Sequence, residues 1–428
     1  MNNYIDNVVP VVIGNSFNAY GVVRSFADEG LSPIVVECGG KSFVGKSKYK
    51  LARYVVSSPA SGVEKFVRDL IRIGKEIAPQ RGMLFPTHDE QLLAIATNKD
   101  SLCEYYEIPF SDYEVLKKIM DKACFREICE RLGIPTIKEV TVASVEEACK
   151  GISGLNYPVI IKDLIFDGSS QRKHTTYCQT QEEYIKAIKE IYLSNPNSKL
   201  IVQEYIEDNG HLMPNVNSFS DREGKLQCVF VSEKQRQYPP NTGTSTATLV
   251  ADASQYKDII DYSYKLIKEL GFYGLFGIEY KYDERDSSYK VIEMNPRSEF
   301  PNYLQTMVGQ NMPYNLYRYH LGKDTKIDFY SCCTIASCIV PFSDYFDSVI
   351  LNRINQKKFS LNCKQWKESI VKPSTKYGVS KKDLLPLLGA YVAEMKKGIA
   401  SYIRIRNHIP NTISIGEYYR TRKASQHQ

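Results

Sequence analysis

The segment VVPVVIGNSFNAYGVVRSFADEGLSPIVVE, residues 8–37, restricts the fold more than any other. A Val/Ile run breaks at Gly14, an amphipathic stretch follows over 20–29, and a second apolar run begins at Ile34. Near-continuous apolar runs of this length mark strands buried on both faces, and a helix between two of them makes the strands parallel. YVVSSP and GMLFPTHDEQLLAIA continue the alternation. An α/β domain with a parallel sheet is therefore expected over residues 1–110. At 428 residues the chain exceeds one ordinary core, so further domains must follow.

From residue 111 the pattern changes to mixed strands and helices. Ser111 and Glu114, Thr87 and Glu90, and Thr180 and Glu183 each carry the spacing of a capping box. The first of these is expected to launch one helix with its apolar stripe on Leu116, Met120, Cys124, Ile128 and Leu132, stopped at Gly133. TIKEVTV, YPVIIKDLI, TTYC and KLIVQEYIE read as strands, SVEEACKGI as a capped helix, and FDGSSQRKH as a polar loop. The fold class is thus α/β in its α+β form, with a second domain over 111–328 and a C-terminal extension over 329–428. That extension holds Trp366 and a helical pattern from Lys381 to about Ile399.

Composition excludes several classes. Hydrophobic residues make up 43% and charged residues 24%, which is ordinary for a globular protein. No apolar run approaches the roughly 18 residues of a membrane span, and the N-terminus lacks the basic and apolar regions of a signal peptide, so a cytoplasmic protein is expected. Eleven cysteines include no C-x-x-C pair, and they read as buried thiols. The net charge of +6 is spread along the chain, so no nucleic-acid partner is expected. The oligomeric state stays open, a dimer among the options.

GKSFVGKS, residues 40–47, fits the phosphate-loop pattern G-x-x-x-x-G-K-[ST]. That motif needs a strand directly before it and a long helix after it. Here Cys38 and Gly39 break the strand, and another strand follows within a few residues. We read it as a basic loop, and keep a nucleotide-binding protein using Lys46 as the different-class alternative.

Chemistry concentrates at strand ends of the second domain. Lys162 closes the apolar run YPVIIK, where a charge is costly without a partner. Lys122 lies early on the first helix of this domain, Lys173 in the polar loop, Glu204 within the strand IVQEYI and Arg236 in SEKQRQYPPNTGTST. GLFGIEYKYDERDSSYKVIEMN reads as a hairpin that carries Glu279 on one strand and Glu293 and Asn295 on the other. Two carboxylates and an amide form a hard oxygen set that suits Mg²⁺ together with phosphate oxygens. Arg297, just beyond, can hold an anion through two parallel hydrogen bonds.

The ordered series PVIIK, VQEYI, GIEYKYD and VIEMNPR resembles the ATP-grasp superfamily of carboxylate–amine ligases over about three-quarters of the chain. PVVIGNSFNAYGVVRSF, EKQRQYPPNTGTST and EMNPRSEFPNY are similar to its D-aspartate ligase branch. The resemblance implies an ATP-grasp domain over 111–328 and a ligase that uses ATP and Mg²⁺, with Mn²⁺ as a substitute ion. It implies an amino acid as carboxylate donor and an amine as acceptor, the leading case being D-aspartate and the lysine of a peptidoglycan precursor. Another amide, in a dipeptide or on a cell-surface polysaccharide, is the alternative within the same chemistry. By the same resemblance, Lys122 and Lys162 would bind phosphates, Glu204 and the backbone near Ile206 adenine, and Asp208 the ribose. Lys173 would lie on a loop closing over ATP, Glu279, Glu293 and Asn295 would hold the metal, and Arg236 and Arg297 would steady the transferred phosphoryl group.

Overall fold

The computed structural model describes residues 4–40, 42–163, 175–207, 212–238, 244–330, 336–351, 361–372, 374–376 and 380–406. Three sheets organise them. The first is all parallel, in the order β3-β2-β1-β4-β5, from β1 (Val8–Ile13), β2 (Ile34–Cys38), β3 (Ala52–Val56), β4 (Arg81–Pro86) and β5 (Tyr106–Glu107). Every residue of β1 is buried, because helices such as Phe17–Asp28 cover the sheet. The strand order reverses between β1 and β4, and ligands of open parallel sheets bind beside the carboxyl ends at such a switch point. Gly14 makes the turn there at φ +148°, and a Cβ on it would fall 2.0 Å from Thr87 Oγ1. Thr87 is therefore no helix cap. Its hydroxyl donates to the carbonyl of Ile13 at 2.8 Å and clamps β4 to β1, while His88 takes the N-cap position.

The second sheet is antiparallel, in the order β6-β9-β7-β8, from β6 (Glu139–Val142), β7 (Val159–Asp163), β8 (Thr175–Cys178) and β9 (Leu200–Glu204). Its two helices begin as expected: Ser144 accepts from Glu147 N, and Thr180 from Glu183 N. The single helix expected after Ser111 is two, Tyr113–Met120 and Lys122–Arg131. Asp121 leaves helical geometry and caps the second through Ala123 N and Cys124 N, since a carboxylate outcompetes the backbone ladder at such a position. Ser111 does no capping either. It exchanges hydrogen bonds with the backbone of Tyr273.

The third sheet has the order β14-β13-β10-β11-β12-β15-β16. Its strands are β10 (Met213–Ser220), β11 (Phe230–Tyr238), β12 (Thr244–Val250), β13 (Gly274–Asp283), β14 (Ser288–Asn295), β15 (Ser337–Ile339) and β16 (Ser374–Lys376). Two of them come from the C-terminal extension, so that segment continues the same sheet. Its last helix, Leu384–Arg406, begins close to the expected residue. Among the described residues no helix is long and apolar enough to cross a membrane.

His320, ending the helix Met312–His320, ties the first sheet to the third. Its Nδ1 lies 2.7 Å from Tyr273 Oη and its Nε2 3.0 Å from Glu107 Oε2, which suits a neutral ring donating from Nε2. Burial holds the imidazole below its ordinary 6.5, against the pull of Glu107. The unfolded chain takes up a proton there that the folded chain resists. This contribution is complete above pH 6.5 and fades as the pH falls below it. His320→Gln is expected to flatten the fall of the thermal midpoint between roughly pH 6.5 and pH 5, read by a melting series, and an unchanged slope would assign that fall to other groups.

Candidate active site

A cavity of about 1130 Å³ opens where the three sheets meet. The β13–β14 hairpin forms one wall. Glu279 pairs directly opposite Glu293, and Asn295 lies opposite Gly277 on the same face. A bulge at the next position keeps both acids in register. Glu279 lies within its strand rather than at the tip expected from the sequence. Two like charges directly opposite on neighbouring strands repel.

The surroundings manage that repulsion with Asn295 and with Lys234, which the sequence pattern does not single out. Lys234 Nζ sits 3.1 Å from Glu279 Oε2. Asn295 Nδ2 donates to Glu293 Oε1 at 3.2 Å, and also to Glu299. Glu299 is buried, and Asn215 and Asn217 each donate to it at 2.9 Å. Burial first, then the nearby Glu279, push the Glu299 carboxyl up to about 7. Glu299 stands two residues past Arg297 in EMNPRSEF, and what concealed it is that its partners Asn215 and Asn217 lie 84 and 82 residues earlier in the chain.

Three carboxylates and an amide in one corner are an excess of anionic oxygen that a divalent cation would relieve. Among the described residues no three His, Cys, Asp or Glu side chains form a cage for a metal. Two carboxylates with an amide suit Mg²⁺ better than a cage does, because Mg²⁺ keeps waters and substrate phosphates in its octahedron. The donor set therefore fits that ion.

The facing wall comes from the second sheet. Lys162 is half-buried on β7, and its Nζ donates to Gln203 Oε1 at 3.0 Å. Burial lowers its pKa, while Glu293, Glu139 and Glu279 resist the shift. Lys122 opens a helix, where the macrodipole disfavours a cation, so its place serves the cavity it lines and not the helix. Glu204 is 2% exposed and its carboxylate is engaged: it accepts from Asn156 N at 3.0 Å, from Asn156 Nδ2 at 3.1 Å and from Arg285 Nη1 at 2.5 Å. It knots β9 to the hairpin turn, and Glu204 and Ile206 both line the cavity. Lys281 lines the same region, 4.3 Å from the Tyr205 ring centre. Lys173 and Asp208 lie outside the described residues.

The two arginines part company. Arg297 lines the cavity, bonded to Asp89 Oδ1 at 2.6 Å and to Asn295 Oδ1 at 3.3 Å, so it joins the hairpin to the switch point of the first sheet. Arg236 is not among the cavity-lining residues. It sits on an irregular stretch of β11 and forks onto the buried Asp344, at 2.8 and 2.9 Å. Arg236 was expected at the phosphoryl group; here its guanidinium engages Asp344, and Lys234, two residues earlier, is the cation of β11 that faces the acids. Strand alternation alone could not choose between them across a bulge.

The GKSFVGKS loop holds no phosphate cradle. Val44–Lys46 is a single 3₁₀ turn, Gly45 N donates to Glu37 Oε1 at 2.8 Å, and Ser47 Oγ donates to Asp383. A carboxylate already accepts from the backbone where a phosphate would sit, and Lys46 points to solvent. Lys46→Ala should leave nucleotide binding within about twofold of the unmodified chain, as expected of surface changes, when titrated with a fluorescent ATP analogue; a larger loss would restore the phosphate-loop reading.

Comparison with known proteins agrees with this geometry. Residues 121–309 match the family "Carbamoyl-phosphate synthase L chain, ATP binding domain". D-aspartate ligase of Enterococcus faecium is 24% identical over 329 residues, 73% of this chain and 77% of that protein. The ADP complex of N5-carboxyaminoimidazole synthetase from Staphylococcus aureus superposes with a TM-score of 0.61 at 14% identity, over 85% of this chain and 92% of that one. L-amino acid ligase from Bacillus licheniformis gives 0.56 at 14% identity, over 74% and 75%. With the mixed α/β architecture and the facing acids of the hairpin, these likenesses give residues 121–309 an ATP-grasp ATP-binding domain and make the chain similar to ATP-dependent carboxylate–amine ligases.

Proposed function

We propose that the protein activates an amino-acid carboxylate with ATP and joins it to an amine, with D-aspartate as the leading donor and a peptidoglycan-precursor lysine as the leading acceptor. The observation that carries the ligase chemistry is the register of the hairpin, which sets Glu279 against Glu293 beside Asn295 in a cavity also lined by Lys122 and Lys162. The D-aspartate reading rests on the likeness to the Enterococcus faecium enzyme, and a different amide product is the second reading, supported by the fold shared with L-amino acid ligase. We place the reaction in the cytoplasm, where ATP is held.

In this reading Lys122 and Lys162 bind phosphates, and the backbone around Ile206 faces the adenine. Glu279, Glu293 and Asn295 would hold Mg²⁺, which when bound would supply neutralisation of phosphate charge. Lys234 and Arg297 then face the reacting groups. A carboxylate oxygen of the donor attacks the γ-phosphorus, the bond to the β-phosphate oxygen breaks, and ADP leaves with its electron pair. The amine attacks the acyl carbon of the resulting acyl phosphate, the C–O bond breaks, and phosphate departs with that pair. Of the two protons the ammonium loses, one ends on phosphate and one in solvent. Catalysis is mainly positioning and charge neutralisation, which suits a cavity built of acids and bases.

The test combines protein, ATP, Mg²⁺, single D- and L-amino acids and a lysine-type amine, and follows ADP. Release that depends on both an amino acid and an amine supports the reading, and the most active donor names the substrate. No release with any amino acid, together with no nucleotide binding, overturns it.

A further inference from the structure

The helix Leu384–Arg406 turns its acid inward and its apolar residues outward. Leu385, Leu388, Val392, Met395 and Ile399 recur every three or four residues, so they share one stripe, and each is between 48% and 60% exposed. Single exposed apolar residues are ordinary, whereas a continuous apolar stripe marks a contact surface. The rest of the helix is already engaged. Ala390 is fully buried, and Gly389 lies so close to Phe43 that a Cβ on it would fall 2.4 Å from that side chain. Asp383, just before the helix, accepts from Tyr20 Oη at 2.8 Å and from Lys48 N at 3.0 Å. The helix therefore cannot roll its stripe into the core.

The net charge of +6, expected to be spread along the chain, is concentrated in the same segment. Residues 380–428 hold nine of the 55 lysines and arginines and three of the 49 acids, so the rest of the chain is neutral. Two of those three acids, Asp383 and Glu394, are buried. Lys381 and Lys382, before the stripe, and Lys396, beside it, are exposed. The GKSFVGKS loop packs against this segment through Phe43 and Ser47. It adds the exposed Lys46 and, just beyond it, Lys48.

Charge decides what can cover the stripe. A second copy of the chain would set one basic segment against another, whichever way the two helices ran, and like charges across an interface oppose association. An anionic bilayer meets both features at once. Its head-group phosphates attract the lysines, and its acyl boundary takes up the apolar side chains, as for amphipathic helices that lie in the plane of a membrane surface.

We propose that the helix Leu384–Arg406, with the basic residues around it, docks the protein on an anionic lipid bilayer, lying on the surface and not crossing it. Glu394, on the inner side of the helix, lines the cavity, so the docked bilayer lies roughly one helix diameter, ~10 Å, from that cavity. The inference does not depend on the ligase reading.

The test sediments the full-length protein with vesicles of phosphatidylglycerol and phosphatidylcholine in equal parts, and with vesicles of phosphatidylcholine alone. Binding to the anionic vesicles is expected to exceed binding to the neutral ones by about tenfold or more, and to weaken as salt is raised. Leu388→Gln combined with Met395→Gln removes apolar contact without changing charge. It should weaken binding to the anionic vesicles by about tenfold or more. Its thermal midpoint without vesicles should match that of the unmodified protein, because both side chains are exposed. Equal binding to the two kinds of vesicle overturns the proposal, as does binding that the double variant leaves unchanged. No binding to either kind also overturns it and leaves the stripe to a protein partner. A dimer, seen by light scattering, that the double variant converts to a monomer overturns it in favour of a second copy.

Discussion

Replacing Glu293 with Gln should lower ATP-dependent ADP release by about a thousandfold, on the order of 4 kcal/mol of transition-state stabilisation. The substitution keeps the side chain's size and its position opposite Glu279. It removes one of the two charges proposed to hold the metal. It also relieves Glu299, whose carboxyl is held high partly by Glu293. The variant should therefore fold at least as stably as the unmodified chain in the absence of nucleotide, while losing the Mg²⁺-dependent part of nucleotide binding. Both are measurable, by thermal melting and by titration with and without Mg²⁺. Activity within tenfold of the unmodified protein would remove Glu293 from the site.

Asp344→Ala should destabilise the protein by about 3–5 kcal/mol, the range for removing one partner of a buried ion pair. Arg236 would lose both hydrogen bonds of its fork, and Thr246 and Trp366 would lose their common acceptor. Asp344→Asn keeps the shape but not the charge, and should fall between the two. The measurement is the urea midpoint of the three proteins. An unchanged midpoint would show that Arg236 finds water or another acceptor, and that the C-terminal segment is held by its apolar contacts alone.

The parallel first sheet was legible because buried strands write themselves as Val/Ile runs, and the hairpin because its two strands flank a polar turn. The likeness of its acids to a metal set was legible for the same reason: residues 279, 293 and 295 are close in sequence, and antiparallel pairing brings them together. Local capping was legible at Ser144 and Thr180, where nothing competes. At Thr87 and Ser111 the same spacing misled, because their hydroxyls meet backbone groups from Ile13 and Tyr273, distant in sequence.

What the chain's own order of residues determined, then, is the alternation that builds the sheets and the hairpin that carries Glu279, Glu293 and Asn295. Only tertiary structure decided which cation of β11 faces those acids, because a bulge resets the side-chain alternation between Lys234 and Arg236. Tertiary structure alone also brought in Glu299 through Asn215 and Asn217, carried Ser343 and Glu394 from the C-terminal segment to the cavity, and set Asp344 against Arg236. A local pattern can place a charge on a strand or helix. Which partner neutralises that charge depends on segments that meet only when the sheets assemble.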